Sequence, residues 1–308
     1  MAQLTFSGAG KRVVVFGEVL FDRFPDGSEI LGGAPFNVAW NLQAFDVQPL
    51  LVSRVGKDRL GRRILGAMSE WGMDPAGMQV DEQRPTGTVE VALVGGEPSF
   101  DIVADRAYDA IDKASIPELP SGFLLYHGSL ACRSRHSRAA LESLIDRGPE
   151  SVVFDVNLRS PWWEQERVYR LLSTAHEVKM NDEELERLVP GGGGRESRAA
   201  ELLADCGCDR LHITLGARGA ITFGVRGGPC EVKPASQTEV VDTVGAGDAF
   251  LAQWLTCRLD GVEAEEALRL AAAAGAASVL DVGAGRFDPT EARRVSTAVE
   301  VHELQAVG

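Results

Sequence analysis

Short apolar runs alternate with amphipathic helical patterns along most of this chain, and that alternation limits its fold more than any other feature. Val13-Val-Val-Phe16 and residues 50–53 read as strands buried on both faces. Residues 58–71 read as a helix, with Leu60, Ile64, Leu65 and Met68 on one face. Strand patterns recur at 123–126, 152–154, 176–180 and 211–214, with helices at 134–146, 163–172 and 196–206 between them. The alanine-rich residues 263–280 form a further helix. Such alternation predicts an α/β fold in which a mostly parallel sheet carries helices on both faces.

Two segments break the pattern. Residues 18–32 and 84–112 read as strands without intervening helices, and Val89, Val91 and Leu93 alternate with Thr88, Glu90, Ala92 and Val94. Together they predict a small antiparallel flap, and a flap over the carboxyl edge of the sheet is a lid. A chain of 308 residues suits one large domain, 1–308, with this appendage. No apolar run reaches the ~18 residues of a membrane span, and the first twelve residues lack the apolar middle of a secretory signal. The expected location is cytoplasmic. A net charge of −14 argues against nucleic acid or an anionic membrane as partner. The five cysteines read as reduced thiols, because Cys206-Gly-Cys208 is too short for zinc spacing and has no second pair.

The richest motif is Asp242-Thr-Val-Gly-Ala-Gly-Asp248-Ala-Phe250. Phe250, Leu251, Trp254 and Leu255 follow on one helical face, so Gly245, Ala246 and Gly247 lie at a helix N-terminus. Free amides and the positive dipole end favour an anion there. Asp248 would repel that anion, which points to proton abstraction beside an anion hole; an ordinary helix cap is the alternative. The motif lacks the third glycine of a dinucleotide turn, and no G-x-x-x-x-G-K-[ST] occurs.

Other polar groups follow predicted strands, where open α/β sheets bind ligands. Asp22 follows the first strand, and Gly32-Gly33-Ala34-Pro35-Phe36-Asn37 precedes a helix expected to begin near Val38. Asp155-Val-Asn157-Leu-Arg159 combines acid, amide and guanidinium. Asn181-Asp-Glu-Glu184 fits either a capping box or the water shell of Mg²⁺. Thr214-Leu-Gly216-Ala-Arg-Gly219 fits either nucleotide phosphates or a tight hairpin.

In their joint order these motifs resemble the ribokinase-like (PfkB) sugar kinases, over essentially the whole chain. The resemblance implies a three-layer α/β/α sandwich with a small β-strand lid, and ATP and a small sugar as ligands. It implies Asp248 as general base, with the amides of Gly245, Ala246, Gly247 and Asp248 as anion hole. Asp22, Gly33 and Asn37 would hold sugar hydroxyls. Asn181, Thr214, Gly216 and Gly219 would lie beside the ATP phosphates, with Glu184 on the Mg²⁺ water network. Asp242 and the carbonyls of Val244, Ser278, Asp281 and Gly283 match a monovalent-cation (K⁺) site, although Phe287 stands where some relatives place a serine. The string from Gly17 to Asp22 and the run from Asp155 to Trp162 look most like fructokinases, making Arg159 a contact to sugar or phosphate. Alternative acceptors are 2-keto-3-deoxygluconate, ribose or a nucleoside. A homodimer through the lid is a further implication.

Overall fold

A computed structural model of the chain describes residues 12–94, 97–191, 193–224, 229–234, 245–279 and 299–303. The chain begins with β1 (Val13–Phe16), then β2 (Leu20–Arg23), β3 (Glu29–Gly32), α1 (Ala34–Ala44), β4 (Leu50–Gly56), α2 (Arg59–Glu70) and β5 (Met78–Asp81). Next come β6 (Gly87–Val94), β7 (Glu97–Ile102), β8 (Leu124–Gly128), α3 (Arg135–Ile145), β9 (Ser151–Asp155) and α4 (Gln165–Leu172). The remainder is β10 (Glu177–Asn181), α5 (Asp182–Leu188), α6 (Arg195–Cys206), β11 (Arg210–Thr214), β12 (Ala220–Gly224), β13 (Cys230–Pro234), α7 (Ala246–Leu259), α8 (Ala264–Ser278) and β14 (Val299–Glu303).

Among the described residues, ten strands form one sheet in the order β14-β13-β12-β11-β10-β9-β8-β1-β4-β5. Neighbours are parallel from β5 to β11 and antiparallel from β11 to β14. This is the expected ribokinase-like α/β architecture. The apolar runs are continuous because both faces are covered. Val14 and Phe16 pack with Leu141, Val168, Leu185 and Leu202 from α3 to α6. Val13 and Val15 pack on the other side with Leu42, Ile64, Trp254 and Leu268 from α1, α2, α7 and α8. Each fully buried aliphatic side chain contributes about 1.5–3 kcal/mol. From β1 the chain moves outward through β4 and β5, then returns to build the other side from β8. β1 is therefore the switch point, and open sheets of this kind bind ligands beyond the carboxyl ends of the strands at that point.

Helix α7 is fastened to this sheet by a charge at the opposite end of β10. Glu177 accepts from Trp254 Nε1 at 2.7 Å and pairs with Arg258 Nε at 2.9 Å. Burial opposes its charge, but the His212 ring and the Arg258 and Arg210 guanidiniums outweigh it and hold the carboxyl down at about 2.

The four remaining strands form a separate sheet, β3-β2-β6-β7. The segments are those expected, but the sheet is mixed: β2 pairs with β6 in parallel, between two antiparallel pairs. Register sets Asp22 in one row with Ile30, Val89 and Ile102, while Arg23 shares the opposite row with Glu29, Glu90 and Asp101. Period-two alternation thus gives this sheet one face that sets this charged row beside Phe21 and Leu31, and one apolar face bearing Asp22.

The helix expected near Val38 begins four residues earlier. Gly33 is the N-cap of α1 and Pro35 lies in its first turn, where proline's missing N–H and fixed φ suit a helix start. Asn37 is consequently inside the helix, with its amide on Gly33 O at 2.8 Å.

Candidate active site

The site collects at the carboxyl ends of β1, β8, β9, β10 and β11. Asp248 sits in the first turn of α7, whose N-cap is Gly245. Ala249 N donates to Gly245 O, so the amides of Ala246, Gly247 and Asp248 are the unbonded ones of that turn. No side chain caps them among the described residues. The capping alternative for Asp248 therefore fails: its Oδ2 accepts from Asn37 Nδ2 at 2.8 Å instead. The two residues are 211 positions apart. Burial, reinforced by the negative charge of Asp155, raises the Asp248 carboxyl to about 6, against the Asn37 bond and the positive charges of Lys179 and Arg159.

Two more carboxyls share this environment. Burial raises Glu18, just past β1, to about 7; Asp248 adds to the rise, while Arg159 and Arg133 oppose it. Burial likewise raises Asp22 to about 6, with Arg159 opposing. Arg159 is exposed and forms no ion pair among the described residues, yet its charge reaches all three acids. Gly33 closes this end. Its φ is 108°, and a Cβ there would meet Glu18 O at 2.8 Å, so the α1 turn can approach the loop after β1 only without a side chain.

Lys179 was not legible as a site residue. It lies on β10 beside Asp155 on β9 and donates to Asp155 Oδ1 at 3.0 Å, both side chains being buried. Burial works against its charge, but Asp155, Glu184 and Asp248 together keep its pKa above the ordinary lysine value. A Cβ on Gly247 would fall 2.6 Å from Lys179 Nζ, so the ammonium lies directly against the uncapped turn of α7. The signal was present: a lysine inside an otherwise apolar, doubly covered strand requires a partner and a reason.

Asn181 and Glu184 do form the capping box. Asn181 Oδ1 accepts from Glu184 N at 2.8 Å, and Glu184 Oε2 from Asn181 N at 2.9 Å. Glu184 Oε1 also accepts from Leu158 N at 2.7 Å. Each carboxylate oxygen keeps a lone pair, which fits a contact to a hydrated Mg²⁺ through water. Among the described residues no group of three or more His, Cys, Asp or Glu side chains gathers as a protein-only metal cage. Thr214 is the register partner of Asn181, so β10 and β11 end together. Gly216 and Gly219 form the β11–β12 hairpin, and a Cβ on Gly219 would strike Val232 O at 1.9 Å. The close approach of β13 is thus a packing reason for glycine at 219. Ser278 ends α8, its hydroxyl donating to Gly275 O at 2.9 Å. Asp242, Val244, Asp281, Gly283 and Phe287 lie outside the described residues.

The ribokinase-like sheet with its helices and small second sheet is the architecture of the ATP-dependent carbohydrate kinases. The chain belongs to the pfkB family of carbohydrate kinases, which it matches over residues 11–291. It is 32% identical over 256 residues to a fructokinase of Klebsiella pneumoniae, covering 78% of this chain and 82% of the relative. A fructokinase of Escherichia coli is 29% identical over 259 residues, 80% of this chain and 83% of its own length. The structure of a Vibrio cholerae O395 fructokinase with fructose, ADP and calcium ion bound matches with a TM-score of 0.82 and 27% identity, covering 92% and 98% of the two chains. Aminoimidazole riboside kinase from Salmonella enterica, complexed with aminoimidazole riboside and an ATP analog, matches with a TM-score of 0.80 and 27% identity, covering 93% and 100%. No helix among the described residues is long and apolar enough to cross a membrane.

Proposed function

We propose that this kinase is a fructokinase, transferring the γ-phosphoryl group of ATP to a primary hydroxyl of fructose. The observation that carries the reading is Asp248: buried, raised to about 6, oriented by Asn37 and set at an uncapped helix start. A carboxylate of that basicity is ionised at neutral pH and accepts the hydroxyl proton as the new sugar O–P bond forms. The bond between the γ-phosphorus and the bridging oxygen breaks, and ADP leaves with that oxygen. The amides of Gly245, Ala246, Gly247 and Asp248 stabilise the charge on the transferring group, and Lys179 adds a cation behind them. Asp22, Gly33 and Asn37 receive the sugar hydroxyls, with Arg159 at the rim. Asn181, Thr214, Gly216 and Gly219 line the nucleotide side. Mg²⁺ bound with ATP neutralises phosphate charge, and Glu184 would hold its water shell. The four-stranded sheet serves as the lid, since its Asp22-bearing face is the apolar one.

A coupled ADP-release assay across fructose, tagatose, ribose, 2-keto-3-deoxygluconate and adenosine tests this reading. Fructose is expected to give the highest kcat/KM. A higher value for any other acceptor refutes the fructokinase assignment and leaves the family intact.

A further inference from the structure

Among the described residues, four buried side-chain atoms around Glu18 and Arg133 have no hydrogen-bond partner: Glu18 Oε2, Tyr108 Oη, Arg133 Nη1 and Trp162 Nε1. Leaving a buried polar group unpartnered costs about 1–3 kcal/mol, so four in one neighbourhood mark a place that lacks a polar partner.

They belong to one construction. The Arg133 guanidinium lies 4.4 Å from the Trp162 ring centre and 5.2 Å from that of Tyr108. Its Nε donates to Asp109 Oδ1 at 2.8 Å, and its Nη2 donates at 2.8 Å to both Asp109 Oδ2 and Val103 O. Among the described residues Nη1 has no partner, on a side chain that is 6% exposed. Glu18 and Arg133 act on each other's charge, and Glu18 also senses Arg159 and Asp248. The group therefore adjoins the acceptor end of the site and not the nucleotide end.

We infer that Glu18, Tyr108, Arg133 and Trp162 form a recognition wall for the part of the acceptor remote from the transferred hydroxyl, and that this wall selects a neutral polyol over a sugar acid. The inference rests on the kinase reading of the site and adds its specificity. Three of the free atoms donate and one accepts, which suits hydroxyls, since each can do both. Charge argues the same way. The Arg133 cation is already matched by Asp109, and Glu18, Asp22 and Asp248 set further carboxyls against the guanidiniums of Arg106 and Arg159, so a substrate carboxylate would meet no surplus of positive charge.

Tyr108→Phe and Trp162→Phe test the wall, because each removes an unpartnered polar atom and keeps an aromatic ring against Arg133. Each is expected to raise KM for the best sugar about 3- to 10-fold, one ordinary hydrogen bond, with KM for ATP within twofold and an unchanged or higher Tm. Unchanged sugar KM in both variants would overturn the wall, whatever the sugar. Wild-type kcat/KM is compared across fructose, tagatose, ribose and 2-keto-3-deoxygluconate. Preference for the acid overturns the selectivity. Preference for ribose or tagatose, with KM still dependent on Tyr108 and Trp162, refutes the fructokinase reading and upholds the inference. Turnover of none of the four overturns both.

Discussion

Lys179 and Gly247 interlock: the Lys179 ammonium occupies the space a side chain at 247 would need, with Nζ 2.6 Å from the position of a Cβ. The contact joins the large sheet to the uncapped first turn of α7. Gly247→Ala should fold, because the obstacle is the end of a long side chain, but it must push Lys179 away from Asp155. We expect kcat to fall at least ~10-fold with fructose, the cost of a weakened electrostatic contribution. Steady-state kinetics beside a circular dichroism spectrum check it; wild-type kcat would remove Lys179 from the phosphoryl site.

Asp248→Asn should separate turnover from stability. Losing the general base is expected to lower kcat at least ~100-fold while ATP binding by calorimetry is retained. The same change removes a buried charge near Asp155, so Tm at pH 8 should rise.

The acid limb of kcat/KM should fall as pH drops through about 6, when Asp248 takes up its proton. Asn37→Ala deletes a bond that favours the ionised form, so that limb should move to higher pH. Stability has the opposite slope. Glu18, Asp22 and Asp248 hold protons more tightly folded than unfolded, so stability should decrease as pH rises from about 4 to about 7. Calorimetric Tm measured at pH 5 and pH 8 tests the sign, and a steeper acid-side loss would contradict it.

Glu177 works the other way. Its depressed carboxyl stabilises the fold above about pH 4.5, and that contribution is lost as pH falls toward 2. Glu177→Ala leaves Arg258 and the Trp254 indole without their acceptor and should cost about 3–5 kcal/mol in urea unfolding. Trp254→Phe should cost less, about 1.5–3 kcal/mol for one bond to a charged group plus packing.

The architecture was legible because burial on both sheet faces writes long apolar runs, as in β1, β8 and β9. Strands β5, β13 and β14 were missed. MQVD and CEVKP mix charge with apolar residues, and Val80 on β5 is 46% exposed, so their pattern resembles loop. The α1 start was misplaced because proline reads as a break before it reads as a first turn. At the site, Asp248 and Asn37 were legible from their motifs, but their direct bond is a product of the fold. Glu18 lies inside the Gly17–Asp22 string, where its spacing assigns it no role. Tyr108, Arg133 and Trp162 come from three separate loops and share no spacing, so only the fold assembles them.

The tie between Glu177 and Trp254 also fixes where Asp248 stands relative to the large sheet. Trp254 follows Asp248 by six residues, about 9 Å along one rigid helix, and its indole is fixed to the foot of β10. Asp248 is thus held to the large sheet through its own helix. Asp22, by contrast, rides on the smaller sheet. On the proposed mechanism, a shift of the smaller sheet would change the distance from Asp22 to Asp248 without moving Asp248.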